Sequence, residues 1–142
     1  MRIRRAKHID APRIAELSGQ LGYPASAAEI LRRLPQLKPQ SQHAVFVAES
    51  DKSGVEGWLH VSLLPVLEVE LRAEIHGLVV SEKARNNGTG GRLLAIAEEW
   101  AKKRGCRSMS VRSNIIRDRA HQFYERHEYE HYKTQKAFRK KL

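Results

Sequence analysis

Four small residues, Gly88-Thr89-Gly90-Gly91, join an apolar, β-branched stretch to an amphipathic one, and this junction constrains the fold more than any other feature. The spacing after it predicts a helix over Gly88 to Arg104, with Leu93, Leu94, Ile96, Ala97 and Trp100 on one face and Gly105 as its stop. A further strand is expected over Arg107 to Arg112, so strand, turn, helix and strand form a βαβ unit. Such a turn offers free backbone N–H groups at the positive end of a helix, a geometry that binds phosphate. The plain alternative is that the glycines serve a tight turn only. A dinucleotide fingerprint would need glycine where Leu93 stands, and a Walker loop would need Gly-Lys-Ser/Thr, which is absent.

The remaining elements follow from local signals. Ile3 to His8 reads as a first strand, and Asp10 can cap a helix carrying Pro12, Ile14, Leu17 and Leu21. Gly22-Tyr23-Pro24 breaks that helix. Ser26 and Glu29 make a capping box for a second helix, Ala27 to Leu34, stopped by Pro35. The period then changes: His43 to Glu49 and Val55 to Leu64 read as a hairpin about Asp51-Lys52-Ser53-Gly54, and Leu67 to Val80 as a long strand. Ile116 to His127 is expected to be a helix and Tyr129 to Phe138 a last strand. The predicted order is β-α-α-β-β-β-α-β-α-β: an α/β (α+β mixed) domain whose mostly antiparallel sheet carries helices on both faces.

At 142 residues the chain suits a single domain. No stretch approaches the roughly 20 apolar residues of a membrane span, the lone Cys106 permits no internal disulfide, and a cytoplasmic protein is expected. The net charge of +10 fits either a polyanionic ligand or nucleic acid, or a solvated basic surface. The seven histidines are scattered, and no metal site is expected among them.

The segment Leu78-Val79-Val80 through Arg85-Asn86-Asn87-Gly88-Thr89-Gly90-Gly91-Arg92 resembles the acetyl-CoA signature of the GNAT acetyltransferase superfamily, Gln/Arg-x-x-Gly-x-Gly/Ala behind an apolar strand. The order of elements resembles that family along the whole chain. The resemblance implies an N-acetyltransferase that binds acetyl-CoA and an amine acceptor and moves the acetyl group by direct attack in a ternary complex. It implies that Arg85 to Gly90 cradle the pyrophosphate, that Gly91 and Arg92 flank it, and that Leu78, Val79 and Val80 offer main-chain groups to the thioester and pantetheine arm. It also allows a homodimer.

Glu74 stands eleven residues before Arg85 and His76 nine before it, positions where members of the family carry a base. Either residue, or a relay of both, fits that role; so does a partly exposed polar strand face. In Ala120-His121-Gln122-Phe123-Tyr124-Glu125 the resemblance makes Tyr124 the acid for the leaving thiolate and a contact to the cofactor. Two departures are plain: Arg117 stands where the family usually has Asn, with Asn114 the nearest alternative, and Glu128-Tyr129 replaces the usual Gly-Phe/Tyr. Both Asn114 and Arg117 remain cofactor-binding candidates, Asn114 also as a helix cap. For the acceptor, Glu68, Glu70 and Glu74 alternate along the expected strand, and Tyr23 and Trp58 offer walls. The other readings are a basic nucleic-acid-binding module, for which no helix-turn-helix, zinc spacing or RNA-binding motif speaks, and a CoA-binding domain without catalysis.

Overall fold

The computed structural model describes residues 1–142, which divide into two units, Met1–Arg112 and Ser113–Leu142. The first holds β1 (Arg2–Arg5), α1 (Ala11–Leu21), α2 (Ala27–Arg33), β2 (His43–Ser50), β3 (Gly54–Leu64), β4 (Arg72–Val80), α3 (Thr89–Lys102) and β5 (Met109–Val111). The second holds α4 (Asp118–Arg126). The sheet runs in sequence order, antiparallel from β1 to β4, and β5 joins β4 in parallel. The glycine turn therefore sits inside a βαβ unit, as the chain around it predicts.

The alternation of strand side chains sends the apolar residues to two faces. Val47, Val55 and Val79 pack with Ile14 and Leu17 of α1, and Trp58 and Leu21 lie against them. The neighbouring position, Gly57, faces Leu93 of α3 on the other side. Leu17, Leu59, Leu93 and Val61 are fully buried. Ile96, expected on the inner face of α3, is 39% exposed and lies at the margin of its stripe.

The capping box at α2 forms as read: Ser26 Oγ accepts from Glu29 N–H, and Glu29 accepts from Ser26 N–H at 3.0 Å. Asp10 is the N-cap residue of α1, yet its side chain makes no cap bond to that helix. Its carboxylate instead accepts Lys7 N–H at 2.7 Å and two Arg4 N–H bonds at 2.8 and 2.9 Å. Arg4 also reaches Glu49 on β2, so this cluster ties edge strand β1 to the start of α1. Here a bidentate guanidinium outcompetes helix capping.

Two strand expectations also fail. The long strand does not begin at Leu67; residues 65–71 form a loop and β4 starts at Arg72. Pro65 and the exposed Leu67 and Val69 have neither a ladder nor a buried face to hold them extended. No strand forms over Tyr129 to Phe138. Its own unit contains no other strand to pair with, and Tyr132 and Phe138 are 65% and 91% exposed.

Candidate active site

Four features meet at the carboxyl half of β4. First, β5 pairs only Ala73 to Ile75, so His76 to Val80 have a strand partner on the β3 side alone. Second, the β3–β4 register slips: His60 opposes Gly77 and Val61 opposes Ile75, leaving His76 as the extra residue of a bulge. A bulge re-aims a side chain. Third, Gly77 leaves room for the Trp58 ring, since a Cβ there would lie 2.7 Å from it. Fourth, the strand runs into the glycine turn through a short 3₁₀ turn, Glu82–Ala84, pinned by Ser81 N–H to Glu56 C=O at 2.7 Å.

At the turn, Asn86 and Gly88 take positive φ of 69° and 79°. Gly88 is the N-cap of α3, in a conformation that only glycine adopts without strain. The first helical bond is Arg92 N–H to Gly88 C=O at 3.1 Å, so the N–H groups of Thr89, Gly90 and Gly91 have no helical acceptor. Asn86, Asn87 and Gly88 are exposed. Arg85 donates its Nε–H to Val80 C=O at 3.2 Å, fixing its guanidinium at the turn. Arg92 instead reaches Met1 C=O at 3.4 Å. Val79 is buried against α1, which leaves only its main chain for a ligand, while Leu78 and Val80 are half-buried. These are the donors that a pyrophosphate requires, and the turn fits that group.

A polar row crosses the sheet. His43, Ser62, Glu74 and Ser110 are direct partners on β2, β3, β4 and β5. Ser62 Oγ lies 2.6 Å from His76 Nε2, and Glu74 Oε2 lies 4.0 Å from His76 Nδ1. Glu74 Oε1 accepts from Ser110 Oγ at 3.2 Å and faces Arg112 Nε at 3.5 Å. The carboxylate is 9% exposed, the imidazole 35%. His76 is thus the group a ligand can touch, and Glu74 the group behind it. Burial lowers the His76 pKa; Glu74 raises it, and His43 and Arg112 lower it further. The imidazole is therefore held neutral at pH 7 and able to take a proton.

The acceptor candidates separate. Glu68 and Glu70 lie in the 65–71 loop rather than on a strand with Glu74, so the three acids do not share a face. Glu70 pairs with exposed Arg107 at 3.7 Å. Trp58 packs in the α1 cluster, its indole Nε1 buried without a hydrogen-bond partner. Tyr23 is 66% exposed in the break after α1. Ser62, Ser110 and Arg112 do not stand out in the sequence. No local spacing marks them, because the pairing of neighbouring strands is what brings them to His76 and Glu74.

In the second unit, Tyr124 lies on α4 with its ring edge-on to Phe123 and Tyr129, centroids 5.2 and 5.7 Å away. Burial raises its phenol to about 12, partly opposed by Arg117. The hydroxyl is protonated throughout the neutral range. Asn114 does not cap α4; its Oδ1 accepts Ile116 N–H at 3.2 Å, and its carbonyl accepts Arg117 N–H at 3.0 Å. Arg117 is itself the N-cap residue of α4. Of the metal-ligating residue types, no group of three is placed to hold an ion, and no helix is long and apolar enough to cross a membrane.

Solved structures share this fold. An aminoglycoside antibiotic 6′-N-acetyltransferase from Acinetobacter haemolyticus is 23% identical over 100% of this chain and 99% of its own, with a TM-score of 0.85. Glucosamine-6-phosphate N-acetyltransferase from Arabidopsis thaliana is 19% identical over 97% of each chain, TM-score 0.82. A protein described as a transcriptional regulator from Bacillus halodurans C-125 is 26% identical over 96% of this chain and 99% of its own, TM-score 0.82. Among curated proteins, none is significantly similar in sequence. The acetyltransferase (GNAT) family pattern matches residues 13–129, so strand, glycine turn and α3 are those of an acyl-transferring fold. The chain belongs to the GNAT acetyltransferase family.

Proposed function

We propose that the protein transfers the acetyl group of acetyl-CoA to a primary amine, with both substrates bound at once. Bound acetyl-CoA supplies the activated acyl carbon. The turn residues Arg85 to Gly91 hold the pyrophosphate through free amides and the Arg85 charge, and the main chain of Leu78 to Val80 flanks the thioester arm.

His76 takes the ammonium proton of the acceptor, and Glu74 stabilises the imidazolium that results. Glu74 is a positioning residue in this scheme, held by Ser110 and Arg112. Tyr124, by its place in the family motif, donates the proton to the leaving thiolate; its raised pKa keeps that proton in place. The observation that carries the reading is the accessible His76, raised on a bulge of the same strand that feeds the glycine turn. The neighbours named for N-acetylation of aminoglycosides and of glucosamine-6-phosphate support an amine of a small polar molecule as acceptor.

The test is release of CoA thiol in the presence of amines from several classes. At least one class should give saturable release, and His76→Gln should lower kcat by about 10²-fold or more. Release that no amine stimulates, or a His76→Gln enzyme with full activity, contradicts the proposal.

A further inference from the structure

His60 and His43 have no part in the scheme above, yet they continue it across the sheet. The His60 and His76 ring centroids lie 4.7 Å apart, and His43 and His60 5.6 Å apart. His43 Nδ1 is 3.3 Å from His60 Nε2. The spacing follows from the backbone. Gly77, directly across from His60, has no side chain, and the bulge brings the His76 ring to His60 instead. His43 and His60 are diagonal neighbours on paired strands, within reach for long side chains. The row ends at a groove of about 530 Å³ whose lining includes His43, Arg5, Lys7, His8, Leu34 and Gln40.

We propose that His60 and His43 form, with His76, a path by which the acceptor's proton leaves the reaction centre across β4, β3 and β2 to that groove. The inference rests on His76 being the base. His76 takes the ammonium proton at one ring nitrogen and gives up the proton at the other. His60 accepts it at Nδ1 as its own Nε2 proton passes to His43 Nδ1, and His43 releases a proton to water in the groove. No bond between heavy atoms changes. The His76–His60 junction is a ring contact, so a swing of the His76 ring off Ser62 makes the connection, and rotation of His60 resets it.

The surroundings suit a group that passes a proton without keeping it. His60 is faced by His43 on β2 and by His76 on β4, with Glu74 of β4 and Arg112, the residue after β5, bearing on His76. On α1, Arg13 and Glu16 pair with each other at the Val55 end of β3. Burial, followed by the two neighbouring imidazoles, holds His60 down to about 4. A stationary charge at His60 is disfavoured, whereas a concerted hand-over creates none.

The experiment compares two acceptors in the full-length protein: the best alkylamine from the thiol-release panel, which arrives as an ammonium ion, and hydroxylamine, which is uncharged at neutral pH. His60→Phe keeps the ring volume. It should lower kcat for the alkylamine about tenfold with KM little changed, recover part of that loss in imidazole buffer, and leave hydroxylamine turnover within about twofold. His43→Gln, at the groove end, should show the same selectivity at smaller size and guards against misfolding of the first variant. Equal losses for both acceptors, or no loss in either variant, overturn the path while leaving the transferase reading intact. A wild-type protein inactive with every amine overturns both.

Discussion

At the residue scale the account depends on how one imidazole is poised. The lowered pKa of His76 places the acid limb of kcat/KM below pH 6.5, the ordinary histidine value. Glu74 pulls in the opposite direction, so Glu74→Gln should move that limb to still lower pH while reducing the plateau rate; a limb shifted upward contradicts the assignment. Tyr124→Phe should slow turnover by about 10²-fold and leave the donor Kd within about twofold. The same residue has a stability signature. Its folded pKa of about 12 exceeds the ordinary 10.0, so its contribution is complete below pH 10 and is lost as pH rises through the folded value. Melting of the wild type should therefore fall more steeply between pH 10 and about 12 than that of Tyr124→Phe.

At the element scale, the site depends on one irregularity in one strand. Gly77→Ala would drive a methyl into the Trp58 ring and disturb the bulge that presents His76. It should cost roughly 1–3 kcal/mol by overpacking and lower kcat as well. The edge cluster is a second check. Asp10, 6% exposed, has its pKa lowered chiefly by the Arg4 hydrogen bond, so it contributes stability above the ordinary 3.8 and loses it as pH falls through the lower folded value. Asp10→Asn should destabilise by about 2 kcal/mol near pH 7 and lose its difference from wild type in acid, as chemical denaturation will show.

These elements also mark where the sequence was readable. The βαβ unit, the capping box of α2 and the hairpin of β2 and β3 rest on local patterns, and they form where those patterns lie. The strand over Tyr129 to Phe138 does not, because alternation supplies a face but no partner ladder. Glu68 and Glu70 part from Glu74 for a similar reason: period two was extended past the point where pairing holds it. Glu74 and His76 are marked out by the family resemblance, through their distance to Arg85. Ser62, Ser110 and His60 are not, since their roles arise from cross-strand register and a one-residue slip, neither of which local spacing encodes.

At the scale of the whole molecule, a net charge of +10 favours a polyanionic donor over long range. Acetyl-CoA at about 100 times its Kd should add roughly 2.7 kcal/mol of stability, a melting shift of several degrees, and the shift should shrink as salt rises. Gly88→Val forces a β-branched residue into positive φ at the head of α3 and should abolish most of that shift. The most direct measurement of the central claim follows thiol and product together, by counting free CoA thiol against acetylated amine by mass spectrometry. The account predicts equal amounts of the two, dependent on both substrates. Thiol release without acetylated amine, or none with any amine, contradicts it.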